Sequence, residues 1–285
     1  MSGITASLVK ELRERTGVGI MECKKALVEF GGDIDKAIEA LRKAGLAKAV
    51  VKGSRKATEG TVAICLSNDR HRAAMVEVNS ETDFAARNTQ FQQFSRIIAM
   101  LALKYETQIL SELSTLIICQ SQKTIEETRV KLVAQLGENV AIRRVCYLKI
   151  QRGTIGDYLH VNTKLARIAS LVSISRNNVD LAKDLAMQVA AMKPEYISEK
   201  HVPDTRILKE KEIFMSQARK INMGKSDDIL EKIVTGKVKK FMRSITLQCQ
   251  PFVKNANQTI EQLISEKKID IIEFARFEVG EIVEK

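Results

Sequence analysis

The strongest constraint on this chain is a change of hydrophobic period at Gly60. Upstream, apolar residues recur at helical spacing. Leu8 and Leu12 lie one turn apart with Val9 beside them, and Thr5 is placed to cap that helix. Thr16-Gly17-Val18-Gly19 breaks the pattern, since two glycines suit a tight turn. Met21, Cys23, Ala26, Leu27 and Phe30 form a second apolar face. Gly31-Gly32 breaks again, Asp33 caps, and Ile34, Ala37, Ile38 and Leu41 form a third. Residues 1–46 therefore predict three short helices in a bundle, marginal by itself because small units bury proportionally little surface. From Gly60 the period is two. Val62, Ile64 and Leu66 alternate with smaller or polar residues, Asn68-Asp69 turns the chain, and Ala74, Val76 and Val78 alternate again, which predicts a hairpin. A long helical stretch from Asp83 to Tyr105 follows, carrying Phe91, Phe94, Ile98 and Leu101.

This block has an echo. Gly153-Thr154-Ile155 repeats Gly60-Thr61-Val62, Ile168–Ile174 repeats Ala74–Val78, and the helix Val179–Met192 stands where the Phe91 helix stood. Further strands are expected at Ala141–Ile150 for the first block, and at Ser244–Cys249 with Ile271–Glu278 for the second. Residues 204–243 interrupt the second block. Leu208 and Met215 mark one helical face, and Leu230, Val234, Val238 and Phe241 another, joined through Ile221–Asp228. That pattern predicts an antiparallel helical hairpin, projecting and solvated by its lysines. Between Arg42 and Lys56 six basic residues and no acid suggest a basic linker. The fold class is α+β. Three units are expected: 1–55 with its linker, 56–150, and 151–285 interrupted by the hairpin.

Charge and cysteine usage narrow the class of function. Lysine and arginine number 46 against 35 acids, a formal +11, which favours acidic partners: nucleic acid, anionic lipid or an acidic protein surface. Cys23, Cys65, Cys119, Cys146 and Cys249 are odd in number and scattered, with no C-x-x-C pair, so neither a zinc site nor a disulfide framework is expected. They suit a reducing compartment. The longest apolar run, Ile97 to Leu103, is far short of the ~20 residues needed to cross a bilayer. No apolar block precedes Lys10–Arg15, which argues against a secretory signal and for the cytoplasm.

Enzymatic motifs are weak. Gly224-Lys225-Ser226 ends like a phosphate-binding loop, but that motif needs a glycine where Arg219 stands and a strand where a helix precedes, so Ser226 reads better as a helix cap. His71, His160 and His201 have no partners at metal-ligand spacing, and no nucleophile elbow or zinc-hydrolase pattern occurs. Aromatic residues are only 5%, which leaves no stacking platform for RNA. The residues by themselves predict a non-enzymatic binding protein. A basic RNA- or ribosome-associated binder is the alternative that the charge suggests.

Five ordered motifs carry a resemblance. The segment from Leu12 through Arg15-Thr16-Gly17-Val18-Gly19-Ile20-Met21-Glu22-Cys23-Lys24 to Leu27 resembles the opening signature of the bacterial elongation factor Ts family. Glu77-Val78-Asn79-Ser80-Glu81-Thr82-Asp83-Phe84 resembles its second signature. Gly137-Glu138-Asn139 with Arg143-Arg144, then Gln250-Pro251-Phe252-Val253, and then Arg276-Phe277-Glu278-Val279-Gly280 are similar to it in the expected order. The family usually has valine where Ala85 stands, and Lys254 replaces an apolar residue of some relatives. The resemblance implies a ubiquitin-associated-like N-terminal domain, two related α+β subdomains, and exchange of guanine nucleotide on elongation factor Tu without bond chemistry. It implies no cofactor, no metal of its own and no requirement for nucleic acid. Thr82, Asp83, Phe84 and Ala85 are implied to dislodge the partner's magnesium ion. Ile20 and Met21 are implied as apolar anchors and Lys24 as a rim charge. Gly137, His160 and Val253 are implied as further partner contacts.

Overall fold

The structure is a computed structural model that describes residues 4–119, 121–162, 165–221 and 226–282. Three helices open the chain: α1 (Ala6–Thr16), α2 (Ile20–Glu29) and α3 (Ile34–Gly53). Thr5 accepts from the Leu8 amide and Asp33 from the Lys36 amide, so both predicted caps form. Gly17 ends α1 with a left-handed φ of 72°, a conformation glycine adopts without steric cost. Val9, Leu12, Cys23, Ala26, Leu27 and Ala37 make the bundle core. Met21 does not join it and is exposed.

The basic stretch after Leu41 is not a linker. It is the second half of α3, whose stripe Leu41, Gly45, Ala49 continues at four-residue spacing. Charge on one face of a helix does not oppose helicity, and alanine, leucine and lysine favour it.

The first sheet follows, from β1 (Glu59–Leu66) and β2 (Arg72–Ser80). They pair antiparallel from Glu59↔Ser80 to Leu66↔Ala73, as the alternation predicts. The expected long helix is two helices, α4 (Asp83–Ala86) and α5 (Thr89–Tyr105). Asn88 breaks it by capping the amides of Gln90 and Phe91. Next come α6 (Leu110–Thr115), the two-residue strands β3 (Ile117–Ile118) and β4 (Lys123–Thr124), and α7 (Ile125–Leu136). A capping box between Thr124 and Glu127 starts α7, a helix the periodicity reading passed over. Strand β5 (Val140–Lys149) completes the sheet in the order β1-β2-β5.

The second sheet repeats that plan. Its hairpin is β6 (Thr154–Asn162) and β7 (Leu165–Ile174), followed by α8 (Val179–Met192). The hairpin helices α9 (Asp204–Ile221) and α10 (Asp227–Ile245) come next. Residues 222–225 of their connection, and with them Gly224-Lys225, lie outside the described residues. The chain ends through β8 (Pro251–Phe252), β9 (Asn255–Thr259), α11 (Ile260–Lys267) and β10 (Ile271–Glu278). The order β10-β7-β6 again puts the second hairpin strand in the centre. Ser244–Cys249 is not a strand. The stripe Val238, Phe241, Met242, Ile245 carries α10 through Ile245, and Leu247–Cys249 is a 3-10 turn. Leu208, expected to face its hairpin partner, is exposed, whereas Phe214, Met215 and Ala218 pack on Leu230 and Val234.

Four layers result. Strand β2 turns Ala74, Val76 and Val78 towards α5 and Ala73 and Met75 towards the other sheet. Val62, Met75 and Leu148 meet Ile155, Ala169, Leu171 and Phe277 between the sheets. Val172 and Ile174 face away, onto Leu185 and Val189 of α8. The bundle joins through α3 on α7, where a Cβ added at Gly45 would stand 3.4 Å from that of Ala134 and Arg42 pairs with Glu127 at 3.0 Å.

Candidate partner-binding site

The turn from β2 into α4 is built from buried supports and one projecting ring. Thr82 caps α4, its hydroxyl accepting from the Ala85 amide at 3.3 Å. The Thr82 amide and hydroxyl in turn donate to the two carboxylate oxygens of Glu138 at 3.0 and 2.7 Å. The Ser80 hydroxyl donates to the Thr82 carbonyl at 2.8 Å. Ala85 and Ala86 point inwards and are buried, so the residue before them is forced outwards: Phe84 is 82% exposed. Burying a phenylalanine is worth ~1.5–3 kcal/mol, and this turn forgoes that while holding the ring on a hydrogen-bonded frame. Asp83 is half-buried and pairs with Arg87 at 3.0 Å. Ala85 supports the turn from below and is 5% exposed, so it is a packing residue and not part of the outer surface.

Gly137 comes to this turn from far along the chain. It ends α7 at φ 74°, its carbonyl accepts from the Lys52 ammonium, and it carries Glu138 to Thr82. The adjacent Asn139 amide donates to Glu81 at 2.7 Å, and its side chain donates to the Arg55 carbonyl at 2.9 Å. Arg55 also pairs with Glu81 at 3.4 Å. Three segments thus meet: the residues after α3, the Glu81–Ala85 turn, and the Gly137–Asn139 loop.

The other expected contacts are spread over the molecule. Ile20, Met21 and Lys24 are exposed on the outer face of α2. Val28, one turn beyond Lys24, is also exposed at 61%, which the sequence reading missed although i+4 spacing from Lys24 signals it. His160 is exposed on β6, stacked on Tyr158 with ring centroids 6.3 Å apart. Val253 is exposed at the β8–β9 turn, which Gln188 of α8 holds by accepting from the Val253 amide at 2.8 Å. Lys254 pairs with Asp184 at 2.5 Å. His160 and Val253 thus belong to the second sheet and its helix, whereas Phe84 belongs to the first.

The remaining motif residues form a support that the sequence did not reveal. Glu77 of β2 is fully buried and binds Arg143 at 2.9 Å and Arg144 at 2.6 Å. Gly280 donates its amide to the same carboxylate at 3.1 Å. Arg144 lies 4.0 Å over the Phe277 ring and reaches Glu281 at 2.6 Å. Arg276 bonds Glu278 at 2.7 Å and Glu281 at 3.2 Å. This charge cluster ties the two sheets together directly beneath the strand that leads to Phe84.

Among the described residues no helix is long and apolar enough to cross a membrane. The family model for elongation factor TS matches residues 81–281. Elongation factor Ts of Methylococcus capsulatus is 46% identical over 282 residues, covering 99% of this chain and 94% of that protein. Elongation factor Ts of Thioalkalivibrio sulfidiphilus is 45% identical over 285 residues, covering 99% and 94%. That of Legionella pneumophila strain Lens is 44% identical over 285 residues, covering 100% and 95%. With a match of this extent and a turn built from the family's own motif residues, the chain belongs to the elongation factor Ts family.

Proposed function

We infer that this chain acts in translation elongation as a guanine-nucleotide exchange factor for elongation factor Tu in the cytoplasm, making and breaking no covalent bond. The observation that carries this reading is Phe84, a large apolar ring held in water on a frame of buried alanines and charge-assisted hydrogen bonds. A preorganised ring loses little conformational entropy on insertion, so it suits the role of a wedge beside the partner's nucleotide site. Asp83 adds a carboxylate at the same point, able to compete for donors and water around the partner's magnesium ion. Magnesium neutralises phosphate charge, so its displacement weakens nucleotide binding.

In the same reading residues 1–55 are a ubiquitin-associated-like docking domain, with Ile20 and Met21 as anchors and Lys24 as rim charge. Residues 56–150 and 151–285 are two related subdomains, the second interrupted at 204–243. Gly137 presents its loop, and His160 and Val253 touch the partner elsewhere. Binding is reciprocal: if the factor weakens nucleotide affinity by some ratio, nucleotide weakens factor affinity by the same ratio. The factor itself needs neither nucleotide nor nucleic acid.

The test is release of fluorescent GDP from elongation factor Tu at fixed magnesium. Stimulated release should saturate with this chain. Phe84→Ala should lower the saturating rate by roughly tenfold or more, the equivalent of losing one interfacial hot spot. An unchanged rate at saturation would remove the wedge role.

A further inference from the structure

At the root of the helical hairpin an open cleft of about 1100 Å³ lies between α10 and the segments around Lys200 and Cys249. Lys200, Lys239, Lys240 and Arg243 line it, and all four are exposed. Among the described residues none of the four has an acidic partner within salt-bridge distance, whereas Arg55, Arg143, Arg144 and Arg276 are all paired. The acids lining the cleft are Glu199 and Glu261, and Glu199 accepts from the Cys249 thiol at 3.6 Å.

A second observation lies one turn further out on the same face of α10. Gly236 is exposed in the helix interior, and a Cβ placed there would meet nothing within 4 Å. Glycine weakens a helix relative to alanine, and neither packing nor backbone angle requires it at this position. What it provides is bare backbone beside a row of cations, where another chain can approach closely.

We propose that this cleft and the Gly236 face bind the sugar-phosphate backbone of RNA. Phosphate contacts need point charges and close approach, and both are present. The cleft lining has no phenylalanine, tyrosine or tryptophan, and its imidazole, His201, is hydrogen-bonded to Ser198 at 2.7 Å, so no row of rings stacks successive bases and binding does not depend on sequence. An acidic protein would require an apolar interface centre, and an anionic membrane a convex surface with apolar side chains to insert. The cleft is concave and lined mainly by polar and charged side chains, with Met192 and Pro251 its apolar members, too little apolar surface for either.

The experiment is fluorescence anisotropy of a labelled uridine oligonucleotide titrated with the full chain at several salt concentrations. Each neutralised phosphate of a single strand contributes about −0.7 to the slope of log K against log salt. Four cations predict a slope near −3, with a Kd between about 10⁻⁶ and 10⁻⁴ M. Lys239→Gln/Lys240→Gln/Arg243→Gln should reduce the slope by about 2, with an unchanged melting temperature as the control for folding. Gly236→Leu should weaken binding several-fold at an unaltered slope, which a diffuse charge effect would not produce. The proposal is overturned by absence of RNA binding, or by an unchanged slope in the triple variant. It is equally overturned if inorganic tripolyphosphate competes with equal affinity, or if phosphatidylserine vesicles bind the cleft and RNA does not.

Discussion

Phe84 and Ala85 are neighbours with opposite fates, one 82% exposed and the other 5%. Nothing in the pair Phe-Ala dictates which goes in. Thr82 decides it by starting a helix whose inner face falls on Ala85 and Ala86, and Glu138 fixes Thr82 from 56 residues away. Glu138→Ala leaves the Thr82 amide without its charged acceptor. It should therefore reduce stimulated GDP release at saturation, by less than Phe84→Ala, while circular dichroism stays native. The cysteines give an independent residue-scale check. Burial, with a smaller effect of the Glu273 charge, pushes the Cys146 thiol up to about 11, and Cys23 is fully buried, while Cys119 is exposed. Only the thiolate reacts, so a disulfide reagent at neutral pH should modify the exposed Cys119 first, the partly buried Cys146 more slowly, and the fully buried Cys23 only on unfolding. Early labelling of Cys23 would contradict the packing of the three-helix bundle.

At the scale of elements, the echo between the two hairpins has a physical basis in their first glycines. A Cβ on Gly60 would stand 2.2 Å from the Val78 carbonyl oxygen, and one on Gly153 1.9 Å from that of Ile174. Both glycines also have positive φ, 150° and 101°. Gly153→Ala should therefore cost ~2 kcal/mol or more in a urea melt, through contact and backbone strain together. Gly236→Ala should go the other way, stabilising α10 by up to ~1 kcal/mol because it relieves a helix penalty and meets no neighbour. The helix α3 changes how docking is best tested. Its second half packs on α7, with Ala49 in the core of the first sheet, so deleting residues 1–55 would strip that core as well as the proposed docking face. Met21→Glu, on the outer face of α2, avoids this. Calorimetric titration should show affinity for elongation factor Tu falling by ~10-fold or more with the fold retained, and unaltered affinity would remove the docking role of the bundle.

The whole molecule is held by charge as well as by apolar layers. Hydrogen bonds from Lys193 and Arg276 keep the Glu278 carboxyl below its ordinary value of 4.5. A carboxylate whose pKa is lower folded than unfolded stabilises the fold above the unfolded value, and that contribution disappears as pH falls through the folded value. The melting temperature should therefore fall as the medium is acidified below about pH 4.5, and Glu278→Gln should be less stable at neutral pH yet show a shallower acid decline. Glu77 sits deeper in the same cluster. Removing it takes the buried carboxylate from Arg143 and Arg144 and leaves them only their contacts to Glu281 and the Glu278 carbonyl, a loss of up to about 3–5 kcal/mol for a broken buried pair.

Much of this architecture is local information. The helical and alternating periods, the caps at Thr5 and Asp33, the glycine breaks and the two-helix insertion follow from neighbours along the chain, where backbone sterics and side-chain direction act directly. The motif segments likewise carried the family. Where the apolar pattern was short or the charge misleading, locality failed. Ser244–Cys249 reads as a strand although α10 runs through Ile245, and the basic run from Arg42 to Lys56 reads as a linker although α3 continues through it to Gly53 with an inner stripe on α7. Only the tertiary structure decided that Met21 faces solvent, that Phe84 projects while Ala85 is buried, and that Thr82 meets Glu138 and Glu77 meets Arg144. Those outcomes depend on which surfaces close over one another across 56 and 67 residues of chain, and no local preference encodes that choice.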